Sequence, residues 1–115
     1  MIIGAHVLIY SSNADADRAF LRDMFGFDHV DAGGGWLIFA LPPAEVGVHP
    51  SSSNGAHALS LMTDDIEVEL ARLRAAGVAC SAVEDRRYGL AAEFTLPGGG
   101  DIQIYQPLHP LTIKA

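Results

Sequence analysis

Two histidines occupy matching places in the two halves of the sequence. His6 stands in the run Ala-His-Val-Leu, and His57 stands 51 residues later in the run His-Ala-Leu-Ser. Gly26 and Gly77 repeat the same spacing. The repeat indicates an internal duplication, in which equivalent positions face each other across a shared cavity. Imidazoles at such positions are either metal ligands or barrel residues that hydrogen bonds satisfy.

A single carboxylate interrupts an otherwise apolar run, where Glu93 stands between Leu-Ala-Ala and Phe94. On a buried strand face it could act as a general base or support a ligand, and on a half-exposed strand it would face solvent. The pattern leaves both roles open. Nucleophilic catalysis is not expected, because the chain has no Gly-x-Ser-x-Gly motif and Cys80 has no basic neighbour that would activate its thiol.

Two aromatic residues also fall at nearly equivalent places in the repeat. Trp36 and Tyr88 each stand near the start of a predicted strand. Flat side chains there would either line the mouth of a cavity as stacking surfaces or cap the core. His29 and His109 adjoin turn or arm residues, and we expect both at the surface.

The elements that position these residues follow one order in each half, which is a strand, a helix and three further strands. The polar residues 11–13 predict the start of the first helix, and Gly26 predicts its end. We predict strands at 2–10, 27–31, 35–41, 44–49, 78–84, 89–96 and 101–106, with one more opening at His57.

The second helix has the clearer signal. Asp64, with Glu67 three residues later, is typical of a capping box. Ile66, Leu70 and Leu73 form an apolar stripe at helical spacing, and Gly77 predicts the end of the helix.

The chain is predicted to be one domain, 1–115, built from two modules. Module 1 covers 1–50, a polar linker covers 51–56, module 2 covers 57–107, and 108–115 form a C-terminal arm. A module of about 50 residues is near the size at which a core becomes marginal. We therefore expect the modules to pack on each other or on a second chain.

The charge balance excludes some partners. The chain carries 7 basic and 14 acidic residues, a net charge of −7, and no basic cluster exceeds Arg86-Arg87. This composition argues against nucleic acid and favours either simple solubility or a preference for cationic ligands. No run reaches membrane-spanning length, no targeting segment is evident and the one cysteine forms no internal disulfide, so we expect a cytoplasmic protein.

Three features resemble the vicinal oxygen chelate superfamily, which includes glyoxalase I, fosfomycin-resistance proteins, bleomycin-binding proteins and extradiol dioxygenases. One is the histidine on the first strand of each half. The run FLRDMFGF at 20–27 is similar to the family's F-Y-x-x-x-L-G-F, and LPGGGDIQIY at 96–105 is similar to its P-D-G-N-x-I-E-L-Y. The resemblance spans the whole chain. It implies an α+β fold in which two βαβββ modules form a curved, partly open β-barrel, and it implies a homodimer.

The resemblance also implies where a metal would bind. Metal-dependent members take ligands from the first and last strands of each half, which correspond here to His6, His57 and Gln103. The family usually has Glu at the last of these positions, and an amide adds no charge, so affinity for Zn, Ni, Mn or Fe should be lower. Gly47 stands at the remaining position, with Glu45 on the same strand face. Without a metal, the two histidines would be hydrogen-bonded residues of the barrel.

Two functions follow from the resemblance. One is a glyoxalase- or ring-cleaving-dioxygenase-like enzyme that acts on a small oxygen-bearing substrate, with Glu93 and Glu45 as candidate proton acceptors. The alternative is a non-catalytic protein of the bleomycin-resistance type that sequesters an antibiotic or another small molecule. That protein would hold its ligand against the aromatic side chains of Trp36, Tyr88 and Tyr105.

Overall fold

The structure, a computed structural model, describes residues 6–45, 47–48, 50–54 and 56–113. Within these ranges the chain forms two helices and six strands. In chain order they are α1 Ala14–Phe25, β1 His29–Asp31, β2 Leu37–Phe39, β3 Ser60–Met62, α2 Ile66–Ala75, β4 Glu84–Arg86, β5 Gly89–Thr95 and β6 Asp101–Pro107. The architecture is α+β, as predicted.

Helix α1 begins and ends where the sequence predicts. The Asn13 side chain accepts a hydrogen bond from the backbone N–H of Ala16 at 3.4 Å. Asp15 and Asp17 lie in the first turn, where the helix dipole stabilises negative charge. Gly26 closes the helix in the left-handed conformation at φ 63°, which glycine adopts without steric cost.

Helix α2 starts one residue later than the capping pattern predicts. Asp65, and not Asp64, is the N-cap, because its backbone is extended and its carboxylate accepts a hydrogen bond of 3.2 Å from the N–H of Val68. The predicted stripe of Ile66, Leu70 and Leu73 is confirmed, since all three side chains are fully buried.

The second module forms a four-stranded sheet in the order β3-β6-β5-β4. Strand β3 runs parallel to β6, and the other neighbours are antiparallel. In the first module, β1 and β2 form a separate antiparallel pair. Of the predicted strand at 78–84, only an isolated bridge between Cys80 and Phe94 and the start of β4 are present.

Both halves contribute to one core. Phe94, at its centre, is fully buried against α2. From α1, the rings of Phe20 and Phe25 lie 6.0 and 5.7 Å from the ring of Phe94. The guanidinium of Arg72 on α2 donates a hydrogen bond of 2.6 Å to the carbonyl of Met24. Full burial of such a ring contributes about 1.5–3 kcal/mol, and the two rings from α1 are partly buried, so their packing on module 2 helps to hold the halves together.

Two predicted strands of module 1 are not formed among the described residues. Residues 6–10 lie in no strand and are exposed, while the rest of the predicted strand 2–10 lies outside the described residues. The described part of 44–49 is also outside any strand, and positions 46 and 49 are not described. Pro42 and Pro43 just before that segment have no N–H for a sheet ladder, and a strand cannot form without a hydrogen-bonded neighbour.

Candidate ligand-binding site

The polar residues of module 2 gather on the face of the sheet that points away from α2. Along β6, Ile102 and Ile104 are buried in the core, so the alternation of strand side chains puts Gln103 and Tyr105 on the opposite face. The register places Glu93 of β5 directly across from Gln103. We describe this surface as the open face of the sheet.

Gln103 is held at both ends of its side-chain amide. The hydroxyl of Ser60 donates to Oε1 at 2.8 Å, and Nε2 donates to the hydroxyl of Tyr88 at 2.7 Å. Ser60 reaches this position because β3 pairs with β6 in parallel, with Ser60 opposite Gln103. The half-buried amide is therefore fixed and satisfied by the protein itself.

Two tyrosines form an aromatic wall beside this amide. The rings of Tyr88 and Tyr105 meet edge to face, with centroids 5.4 Å apart and planes at 84°. The ring of His109 lies 5.9 Å from that of Tyr105, and the Tyr105 hydroxyl is 3.0 Å from Nε2 of His109. Burial, then the charge of Glu45 and the neighbouring Tyr88, raise the pKa of Tyr105, so its hydroxyl stays protonated at neutral pH.

The C-terminal arm ties this wall to module 1. Glu45 accepts hydrogen bonds from the backbone N–H and the hydroxyl of Thr112, at 3.1 and 2.9 Å. These two bonds, together with the nearby His109, lower the pKa of Glu45 below its usual range. The carboxylate also lies 4.0 Å from Nε2 of His109. Glu45 is therefore an anchor for the arm, with its Oε2 oxygen accepting both hydrogen bonds from Thr112.

The other end of the open face is charged. A cavity of about 170 Å³ lies beside Gln103 and Glu93, and an ion pair of 2.6 Å between Arg86 and Glu84 forms part of its wall. Glu93 is exposed between buried neighbours, which confirms the interpretation that its side chain lies on the solvent side of a half-exposed strand. Since Arg86 is paired with Glu84, the carboxylate of Glu93 leaves this end net negative.

A larger cavity, of about 330 Å³, lies on the helix side of the sheet. Its walls come from residues 6–9, Ser11, α1, β2 and the inner side chains of β3 and β6, including Leu61 and Ile102. Trp36 stands at this cavity with the guanidinium of Arg18 5.0 Å above its ring. The lining is mostly apolar, and its buried carboxylate, Asp17, is already bonded to Gly98.

The predicted site residues are distributed over these places. Tyr88, Tyr105 and Gln103 come together on the open face, but Trp36 lies at the large cavity. His6 also lines the large cavity, Gln103 lines the small one, and His57 is exposed and lines neither. Among the described residues, no three His, Cys, Asp or Glu side chains are grouped so that they could hold a metal ion.

The donor chemistry at Gln103 does not fit a divalent metal within one chain. Its oxygen is neutral and accepts a hydrogen bond from Ser60, whereas Zn, Ni, Mn and Fe sites of this kind require anionic oxygen as well as imidazole. His6 and Gln103 border different cavities. The chemistry that this face offers is therefore stacking, hydrogen bonding and charge attraction.

Three residues of the site carry no signal in the sequence. Ser60 joins Gln103 only through long-range strand pairing, and Thr112 joins Glu45 across 67 residues. His109, expected at the surface, is instead half-buried against Tyr105. His29 is exposed as expected. A hydrophobic periodicity or a local motif cannot report such contacts.

Comparisons with solved structures identify the fold. The antibiotic-binding protein TnmS3 from Streptomyces sp. CB03234 is 28% identical, with a TM-score of 0.67 over 93% of this chain and 98% of that one. A glyoxalase/bleomycin resistance protein from the same organism is also 28% identical, with a TM-score of 0.59 over 85% and 95% of the two chains. No protein-family sequence model and no curated protein sequence matches the chain.

More distant structures share the fold alone. The fosfomycin resistance protein FosX from Listeria monocytogenes, in a mutant form complexed with Mn(II) and 1S,2S-dihydroxypropylphosphonic acid, is 15% identical, with a TM-score of 0.59 over 94% of each chain. The architecture is thus that of the glyoxalase fold. The solved structures that it resembles, including the two that are 28% identical, are members of the vicinal oxygen chelate superfamily, which supports the resemblance that the sequence indicates. Neither of its described helices is long and apolar enough to cross a membrane.

Proposed function

We propose that the protein binds a small, flat, positively charged aromatic compound and sequesters it without transforming it, as an antibiotic-binding protein of the bleomycin-resistance type. The observation that carries this proposal is the clamped amide of Gln103 beside the Tyr88–Tyr105 wall. At the place where metal-dependent relatives use a carboxylate ligand, this chain has a neutral group whose bonds are already made.

The aromatic wall supports a flat ligand. Tyrosine rings offer large apolar surfaces at low entropic cost, and an edge-to-face pair leaves one ring face free for stacking. A cation over such a face gains about 0.5–2 kcal/mol, more when it is shielded from water. The Tyr88–Tyr105 pair therefore suits a planar cation better than a flexible aliphatic one.

Charge supports a cationic ligand. The chain carries a net charge of −7, and the end of the open face at Glu93 is negative. A field of one sign raises the local concentration of oppositely charged ligands and accelerates their binding. The likeness to an antibiotic-binding protein at 28% identity supports the binding of a small molecule, and the negative charge of this chain supports a cationic one.

A second copy of the chain would cover an exposed apolar segment of module 1. Residues 7–10 present four consecutive apolar side chains to solvent, of which Tyr10 is 90% exposed. Such a run offers apolar surface that a partner could cover. We infer a two-fold homodimer in which this segment is paired and the β-barrel is closed further.

A metal-dependent glyoxalase- or dioxygenase-like enzyme is the second candidate, and the exposed Glu93 directly across from Gln103 is the observation that favours it. His6, His57 and Gln103 would be its ligands and Glu93 its proton acceptor. Glu45 fits that role less well, because one of its carboxylate oxygens already accepts two hydrogen bonds from Thr112. Elemental analysis of protein purified without chelator tests this candidate, since a stoichiometric metal would overturn the sequestering function.

The binding function is tested with a fluorescent planar cation, diamino-N-methylacridinium, in titrations of the wild type and three variants. Tyr88→Ala and Tyr105→Ala should each weaken binding about tenfold, or about 1.4 kcal/mol, because each removes part of the stacking surface. Trp36→Ala is the matched control, and it should bind as the wild type does. If Trp36→Ala alone loses the ligand, the large cavity is the binding site and the open face is not. Thermal unfolding checks that each variant is folded.

A further inference from the structure

The partners of His109 determine which of its nitrogens carries a proton. Nδ1 lies 2.8 Å from the carbonyl oxygen of Pro110. Because a carbonyl oxygen can only accept, Nδ1 must be the donor. A neutral imidazole protonated at Nδ1 has only a lone pair at Nε2, and Nε2 lies 3.0 Å from the hydroxyl of Tyr105. Tyr105 is therefore the donor in that contact.

This arrangement uses the single hydroxyl hydrogen of Tyr105. The phenol oxygen then has lone pairs to offer but no hydrogen. A ligand that stacks on the Tyr88–Tyr105 wall meets an acceptor at Tyr105. The C-terminal arm, which carries His109 and is anchored through Thr112 on Glu45, thus determines the hydrogen-bonding character of the wall.

We propose that His109 is a positioning residue that fixes Tyr105 as a hydrogen-bond acceptor, and that it thereby makes the site selective for flat cations that carry N–H donors. This inference rests on the binding function proposed above, and it goes beyond that function by naming the group that selects the ligand. His109 acts through Tyr105 and need not touch the ligand.

The test uses two permanently charged probes that differ only in N–H donors, diamino-N-methylacridinium and N-methylacridinium. At pH 8 the wild type should bind diamino-N-methylacridinium about three- to tenfold more tightly than N-methylacridinium. This ratio is the effect of one hydrogen bond. Both probes carry one charge, so their general attraction to the acidic protein is matched.

Two conservative variants separate the roles. Tyr105→Phe keeps the ring but removes the hydroxyl, so the preference should be absent. His109→Gln supplies an amide oxygen that accepts from Tyr105, so the preference should persist. A preference that survives in Tyr105→Phe, or one that is lost in a folded His109→Gln, would overturn the inference.

A ligand-free measurement complements these titrations. Nitrogen-15 NMR of the imidazole at pH 8 should show hydrogen on Nδ1 of His109, and hydrogen on Nε2 would overturn the inference. Equal binding of both probes by the wild type would overturn the selectivity while the binding function stands. Failure of both probes to bind would overturn the binding function and the selectivity together.

Discussion

The buried carboxylate of Asp17 accepts a hydrogen bond of 2.7 Å from the backbone N–H of Gly98, 81 residues further along the chain. Asp17 lies in the first turn of α1 and is only 6% exposed, whereas Gly98 lies in the turn between β5 and β6. One charged hydrogen bond thus joins the helix of module 1 to the hairpin of module 2 that carries Gln103.

The first prediction removes this bond. Asp17→Ala should lower the free energy of unfolding by about 1.5–3 kcal/mol, since a hydrogen bond to a charged group is lost and the Gly98 N–H is left without its partner. Asp17→Asn keeps an acceptor oxygen at the same place and should cost less. Urea denaturation of both variants measures the difference. Equal stability of the alanine variant and the wild type would show that the bond does not contribute.

The second prediction concerns the close approach at Gly98. A Cβ there would contact the Ser11 hydroxyl and lie 2.8 Å from Asp17 Oδ2, closer than real Cβ contacts. Gly98→Ala should therefore destabilise by about 1–3 kcal/mol, the usual cost of overpacking. Gly100→Ala is the matched control, because a Cβ at that position meets nothing within 4 Å. Thermal unfolding of the pair tests the prediction, and equal melting temperatures would contradict it.

The sequence predicts elements whose signals are local. The stripe of Ile66, Leu70 and Leu73 and the glycine that ends α1 depend only on helical periodicity and backbone conformation, and both are confirmed. The predicted strand at 2–10 depends on a neighbouring strand that local pattern cannot supply. Its described part, 6–10, is not in a sheet.

The candidate site shows the same division between local and long-range information. The strand alternation of β6 places Gln103 and Tyr105 on one face, which the sequence allows one to predict. The partners of these residues come from strand register and from the path of the arm. For that reason Ser60 and His109 could not be predicted, and the sequence does not reveal that Trp36 lies at the large cavity, apart from Tyr88.

The third prediction tests the proposed dimer. Leu8→Glu should shift the protein from dimer to monomer, because Leu8 is 57% exposed in the apolar segment that we expect a second copy to cover. Val68→Glu is the control, since Val68 is 62% exposed on α2 and away from this segment. Light scattering at micromolar concentration measures the mass. A monomeric wild type would contradict the proposed dimer. Dissociation by Val68→Glu would place the interface on α2 and not at residues 7–10.

The fourth prediction concerns Gln103→Glu. The hydroxyls of Ser60 and Tyr88 can both donate to the new carboxylate, so the variant should fold, but it faces Glu93 across the register. Like charges opposite each other should cost about 0.2–1 kcal/mol at pH 8. Because the repulsion requires a charged carboxylate at position 103, its cost is absent where that carboxyl is protonated, well below about pH 4.3, and grows as the pH rises.

The melting temperatures of Gln103→Glu and of the double variant Gln103→Glu/Glu93→Gln measure that cost. The double variant should recover the lost stability, because the repulsion is removed. The same experiment with added Ni, Zn or Mn separates the two candidate functions. A sequestering site should show no metal-dependent rise in the melting temperature of Gln103→Glu. A rise would mean that His6, His57 and position 103 converge on a metal, contrary to the sequestering function.

The last prediction concerns the pH dependence of the anchor at Glu45. Its pKa is lowered first by the backbone N–H of Thr112, then by the Thr112 hydroxyl, with a smaller effect of His109. A carboxyl whose pKa is depressed in the folded state contributes stability that is present above the unfolded value, about 4.3, and is lost as the pH falls through the folded value. Glu45→Gln should therefore melt at a lower temperature than the wild type at pH 7, and the gap should close in acid. Thr112→Val keeps the backbone donor but removes the hydroxyl, so its gap should be smaller. A gap between Glu45→Gln and the wild type that stays constant from pH 7 to pH 3 would show that the carboxylate charge does not hold the arm, because only a charged anchor loses its advantage when it is protonated.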